Sequence, residues 1–263
     1  MSVPAVKLDS VEAFYGKGTP AVLKGISLEI PAGETVSIIG ANGSGKSTLL
    51  KVIAGMADRT GLSEVFGHDT RKMKIRELAS FVSFMSSELN ASMDYTVRET
   101  VAMGRYIHKK GLFRKDEEPA AVDSALEDAG LTDIAEKKIS ELSGGQRQRV
   151  CLARVFAQKT PIILLDEPMN YLDLKYQAEL KDSLLKWKKG KTIVDSVSYD
   201  NTLIGVYHDI SMARSTADSM IFMKDGRIVL YEKTDKIDFK TKLENIYDMD
   251  VYGYMNSILS LWK

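Results

Sequence analysis

The run Gly40-Ala-Asn-Gly-Ser-Gly-Lys-Ser-Thr48 has the residue types and spacing needed to hold a phosphate chain. Glycines at 40, 43 and 45 let the backbone curl tightly and turn its N–H groups inward. Lys46 is placed to reach the β- and γ-phosphates of a nucleotide, and Ser47 to ligate Mg²⁺. The preceding Glu34–Ile39 reads as a buried strand. Leu49–Ala54 reads as a helix, whose positive end favours anions.

Further along, Pro161-Ile-Ile-Leu-Leu-Asp-Glu-Pro168 is an apolar run ending in two carboxylates. It does not alternate, which suits a parallel strand covered on both faces. Ligands in such sheets bind at the carboxyl ends of strands, where Asp166 and Glu167 stand. Asp166 is read as holding Mg²⁺ through water, and Glu167 as polarising an attacking water. His208 follows a strand predicted over 202–207 and reaches the same edge. Leu142-Ser-Gly-Gly-Gln146 precedes a periodic helix over 147–157. Ser143 is placed to cap it, and the two glycines leave the backbone open to a ligand. Tyr15 lies in a turn-rich loop over 14–20. A nucleotide base can stack on it, or the ring packs on its own hairpin.

These groups need a scaffold, and its elements are legible in outline. Residues 3–9 and 26–30 alternate apolar and polar, predicting two strands of an antiparallel layer. A short strand is expected within 61–67, a helix over 74–78, a strand over 81–85, and a polar loop over 86–95. Thr96-Val-Arg-Glu99 is a capping box that opens a helix through about Ile107. A basic connection follows over 109–115, then Pro119 suits an early helical position and Gly130 a helix stop. Residues 96–142 thus read as an all-helical insertion in an α/β pattern. A helix over 174–189, a hairpin around Lys224-Asp-Gly226, and a tail of one helix and one extended piece complete the chain.

Composition narrows the classes. The 263 residues suit one large α/β domain or a domain with a subdomain. A net charge of zero gives no pointer to nucleic acid or an acidic membrane surface. The single cysteine, Cys151, excludes an intrachain disulfide framework and reads as a small buried apolar residue. There is no apolar stretch of membrane-spanning length and no apolar signal core, so any membrane role is expected to come through a partner.

In this order the motifs resemble those of the nucleotide-binding subunit of ATP-binding cassette transporters. Gly40–Thr48 resembles Walker A, Leu142–Gln146 the signature motif, Ile162–Glu167 Walker B, Asn170–Asp173 the D-loop, and His208 the switch histidine. The implied fold is α/β: a P-loop NTPase (RecA-like) core with an antiparallel β layer and an inserted all-helical subdomain. Its units would be a first core part at 1–86, a helical subdomain at 87–150, a second core part at 151–240, and a tail at 241–263. The resemblance further implies binding of ATP and Mg²⁺. ATP would meet Tyr15, Gly40, Asn42, Gly43, Ser44, Gly45, Lys46, Ser47, Thr48 and Asp173. Ser143, Gly144, Gly145 and Gln146 would clasp the ATP of a second copy in a head-to-tail homodimer. Ser47 and Asp166 would hold the metal, with Glu167, His208 and Lys46 catalytic. Expected partners are integral membrane permease subunits and, indirectly, a substrate-binding protein, with no nucleic acid. The expected place is the cytoplasmic face of the cell membrane, peripherally. Residues 93–106 are similar to the ATPases of iron–siderophore, haem and cobalamin importers, and the groove beside 84–106 would receive the permease.

The sequence departs from the family pattern twice. No Gln occurs between Ala41 and Gly145, and alignment back from Thr96 puts Ser87 where the family's Gln contacts metal and water. Water or Glu88 is expected to fill that place. Between Gly190 and His208 about ten residues are extra by comparison with the family, and 196–200 are expected to form an added loop or hairpin. Two other readings remain open: a cassette ATPase without a permease, and a regulatory module that clamps ATP with little turnover.

Overall fold

A computed structural model describes residues 3–16, 18–86, 94–108 and 117–261. In chain order, β1 (Val6–Phe14) and β2 (Leu23–Ile30) lead into β3 (Thr35–Gly40), the phosphate-type loop and α1 (Lys46–Ile53). The short strands β4 (Asp58–Arg59), β5 (Leu62–Val65) and β6 (His68–Asp69) precede α2 (Ile75–Phe81) and β7 (Val82–Met85). Then come α3 (Val97–Ala102), α4 (Glu117–Asp128), α5 (Gly144–Gln158), β8 (Ile162–Asp166) and α6 (Leu174–Lys188). β9 (Lys191–Val194), β10 (Val197–Asp200), β11 (Thr202–Val206) and α7 (Ile210–Thr216) follow. β12 (Ser219–Lys224), β13 (Arg227–Lys233), α8 (Phe239–Tyr247) and α9 (Val251–Ser260) end the described chain.

The central sheet has the order β13-β12-β3-β11-β8-β7, parallel except for the β12–β13 hairpin. Every residue of β3 and β11 is buried, as is β8 up to Leu165, because both faces are covered. One face, with Val36, Ile38 and Val206, shares a core with Leu49 of α1 and with the antiparallel sheet β2-β1-β5-β6. On the other face Ile39, Tyr207 and Phe222 meet Ala213, Leu243 and Ile246. The helical segment has a core of its own, built from Val97, Val101, Leu126, Ile139 and Val150. α5 runs unbroken through residue 150 and joins that core to the sheet. Burial pushes the Cys151 thiol up to about 11, so it stays protonated inside α5. Among the described residues no helix is long and apolar enough to cross a membrane.

Three expectations are corrected. The helix after Thr96 ends at Ala102 and tightens into a 3₁₀ turn over Met103–His108. Gly104 lies against α5 there: a Cβ on it would fall 2.3 Å from the Arg154 carbonyl, so only glycine fits this approach. Phe81 closes α2 rather than opening β7. Among the described residues the tail holds two helices and no extended piece, since Asp248 turns the chain at φ +53° and Asp250 then caps α9 through the Gly253 N–H at 2.8 Å. The basic stretch 109–115, Ser87 and Glu88 lie outside the described residues.

The extra residues before His208 form the two-stranded hairpin β9–β10. Its tip, Asp195-Ser196, has φ of +46° and +70°, the turn that suits strand twist. Tyr199 anchors it, with ring centroids 4.4 Å from Phe66 and 5.5 Å from Phe81. At its base Asn201, 3% exposed, donates to the Trp187 carbonyl at 2.7 Å and accepts from Thr192 Oγ1 at 2.7 Å. Asn201→Ala would strand both partners. It should cost about 1–3 kcal/mol, read as a lower thermal midpoint with ATP turnover kept.

Candidate functional site

Strand order puts the chemistry in one place. β3, β11 and β8 are adjacent, with Ile38 opposite Val206 and Val206 opposite Asp166. Their carboxyl ends therefore deliver the 40–48 loop, His208 and the Asp166–Glu167 pair to one edge of the sheet. The loop closes under Met223: a Cβ on Gly40 would fall 2.2 Å from the Met223 carbonyl, which only glycine permits. Lys46 is 6% exposed, and its Nζ donates to the Gly40 and Ala41 carbonyls at 2.8 and 3.0 Å. Burial holds this ammonium below its usual range, against the pull of Glu167 and Asp166. Ser47 Oγ donates to Asp166 Oδ1 at 2.9 Å. Burial pushes the Asp166 carboxyl up, and that hydrogen bond opposes the shift.

The fit to a phosphate chain rests on the loop itself. Ser44 Oγ is buried with no hydrogen-bond partner among the described residues, although it lies inside the loop. Asn42 and Gly43 are exposed, and a Cβ on Gly43 would meet only open space. Thr48 is buried at the first turn of α1, and its Oγ1 is 3.0 Å from the Tyr15 hydroxyl. Tyr15 itself is 58% exposed, with Lys51 Nζ 5.7 Å from its ring centroid. Its ring thus stands beside the loop with a free surface instead of being sunk into the β1–β2 hairpin. A hydroxyl and a carboxylate in contact suit Mg²⁺, which keeps water and takes substrate phosphates instead of a full protein cage.

Glu167 is held at both oxygens. Oε1 lies 2.5 Å from His208 Nε2, and Oε2 accepts from Asn170 Nδ2 at 2.5 Å. The β9–β10 hairpin therefore leaves His208 within reach of the carboxylate. The signature turn is elsewhere. Ser143 is exposed and caps α5 through the Gln146 N–H at 3.3 Å, while Gln146 Oε1 accepts from the Ser143 N–H at 2.9 Å. Gly144 and Gly145 face the backbone and Cβ of Tyr171, a residue of the 170–173 turn that is 77% exposed. Asp173 caps α6 through the Tyr176 N–H at 3.0 Å. Sequence reasoning missed two contacts: Asn170 on the Glu167 carboxylate, and Gln148 on the Glu167 and Pro168 carbonyls. Only the D-loop pattern pointed near the first, and no local signal marks the second.

A family model described as ABC transporter matches residues 23–170, more than half of the chain. The chain belongs to the ABC transporter family. Its fold is that of the ABC ATPase cassettes, and as a member of that family it is an ATP-binding ATPase subunit. This ABC ATPase is 36% identical over 239 residues to the uncharacterised ABC transporter ATP-binding protein YvrA of Bacillus subtilis (strain 168). The match takes in 90% of the chain and 52% of YvrA, so the chain spans about half that protein's length. It is 34% identical over 250 residues to the ferric enterobactin transport ATP-binding protein FepC of Escherichia coli (strain K12), covering 94% of the chain and 89% of FepC. Among solved structures it is similar to the dimeric ATP-binding cassette MJ0796 in a post-hydrolysis state bound to ADP and Pi. There the TM-score is 0.75 at 32% identity, covering 87% of the chain and 98% of the other.

Proposed function

We propose that two copies of this chain meet head to tail around two Mg-ATP, and that their hydrolytic cycle drives a membrane importer of iron–siderophore, haem, cobalamin or a related metal chelate. One observation carries the dimer. The chain has a phosphate loop with carboxylates beside it, and also a second helix start, Ser143–Gln146, whose Ser143 is exposed and whose half-buried Gly144 and Gly145 lie against Tyr171 of the 170–173 turn. Each copy then supplies what its neighbour's nucleotide lacks, and the reading is supported by the similar cassette MJ0796, whose structure is dimeric and bound to ADP and Pi. The units proposed for this machine are the core at 1–86 and 151–240, the helical part at 87–150 and the tail at 241–263.

In the proposed reaction, water attacks the γ-phosphorus of ATP and ADP leaves. Glu167 takes the water proton, and His208, in contact with Glu167 Oε1, steadies water and γ-phosphate. Lys46 binds the β- and γ-phosphates, and Tyr15 stacks on the base. Ser47 and Asp166 would hold Mg²⁺, which neutralises phosphate charge when bound. Loss of the γ-phosphate weakens the clasp, and the copies separate. The permease would sit in the groove beside 84–106, at the cytoplasmic face of the membrane. The importer reading is supported by FepC, whose name gives ferric enterobactin transport.

Co-purification tests this reading. The chain tagged in its own host should bring down an integral membrane permease, and ATP turnover in that complex should rise when a loaded binding protein is added. Turnover unchanged by any membrane fraction, with no permease recovered, would favour the cassette without a permease.

A further inference from the structure

Gln148 is buried, polar and unused by the chemistry above. It sits one turn into α5, 3% exposed, and its Nε2 donates to two successive backbone carbonyls, Glu167 O at 3.2 Å and Pro168 O at 3.1 Å. A side-chain amide has two N–H donors on one nitrogen, which matches two neighbouring acceptors. The segment that it grips is strained. Glu167 has φ +55°, the left-handed region that a side chain disfavours. It also precedes Pro168, which restricts the residue before it to extended backbone. On its other side the Glu167 N–H donates to the Val206 carbonyl at 3.1 Å. The backbone of Glu167 is thus pinned between the sheet and α5, and its carboxylate lands between His208 and Asn170. Without the amide of Gln148 the segment can relax toward extended backbone, carrying the carboxylate off His208.

We infer that Gln148 is a positioning residue: it ties the signature helix to the main chain of Glu167 and so fixes where the carboxylate stands. The inference rests on Glu167 being the base. Because α5 begins at the Ser143–Gly145 turn, a shift of that turn against a neighbouring copy's nucleotide would be passed to the carboxylate through this amide.

The test uses the full chain with Gln148→Met, which fills the same space without a donor, and Gln148→Glu, which keeps the shape and donates only when protonated. Both variants should lower kcat at least about tenfold at about pH 8, since small misplacements of a reacting group cost that much. ATP affinity by calorimetric titration should stay within about twofold, because the contact is made to the base rather than to the substrate. In Gln148→Glu, kcat relative to the unaltered chain should recover as pH falls toward about 6, because burial raises that carboxyl's pKa and protonation restores a donor. Gln148→Met should show no recovery. The inference is overturned if Gln148→Met keeps kcat within about twofold, or if both variants lose kcat, ATP affinity and thermal midpoint together with no recovery at low pH. Should Glu167→Gln keep its turnover, the base assignment itself fails. If Glu167→Gln loses turnover while Gln148→Met keeps it, only the role of Gln148 fails.

Discussion

Glu167→Gln should lose ATP turnover by roughly a thousandfold, the scale of removing a positioned general base. The amide has the same shape, so the residue can stay against His208 and Asn170, 2.5 Å from each. It cannot accept the water proton. It also removes a negative charge from the edge where Asp166 and a triphosphate gather, so ATP should bind at least as tightly as before. Steady-state phosphate release and equilibrium ATP titration separate the two effects. A variant that turns over within about tenfold of the original would remove Glu167 from the role of base.

Lys46→Ala should weaken ATP binding by roughly ten- to a hundredfold and abolish turnover. The estimate follows from losing a charge-assisted hydrogen bond worth about 1.5–3 kcal/mol. The unliganded fold should hardly suffer, because burial already holds the ammonium below its usual range and the charge is costly where it sits. The sign can be checked by pH. A lysine whose folded value lies below the ordinary 10.5 releases its proton earlier in the folded state, so stability from this group rises with pH between the lowered value and 10.5. Lys46→Ala should flatten that rise in thermal melts without nucleotide. A steeper rise, or a collapsed fold, would contradict this account of Lys46.

The groups proposed to bind phosphate were legible in the sequence because phosphate chemistry demands contiguous residues. A loop that must present N–H groups, an ammonium and a hydroxyl within one turn leaves a local spacing. The strand ends at Asp166 and His208 were legible for a related reason, since buried parallel strands are near-continuous apolar runs. What stayed hidden depends on approach between distant segments. Gln148 reads as one more polar residue of α5 until the helix is laid beside Glu167 and Pro168. The 3₁₀ turn at Met103–His108 carries Gly104 against the Arg154 carbonyl, a close approach that no local propensity records. In the tail, the Asp250 cap competes with aromatic and β-branched residues at 251–254 that suit a strand, and the cap prevails.

The central claim is that nucleotide is gripped between two copies. Light scattering on Glu167→Gln, with saturating ATP and Mg²⁺ and with bound nucleotide counted, measures it directly. A particle of twice the chain mass carrying one ATP per chain is the expected result, reverting to single chains when Ser143→Arg is added. A single chain that holds ATP at saturation, with its mass unmoved by either substitution, would contradict the account.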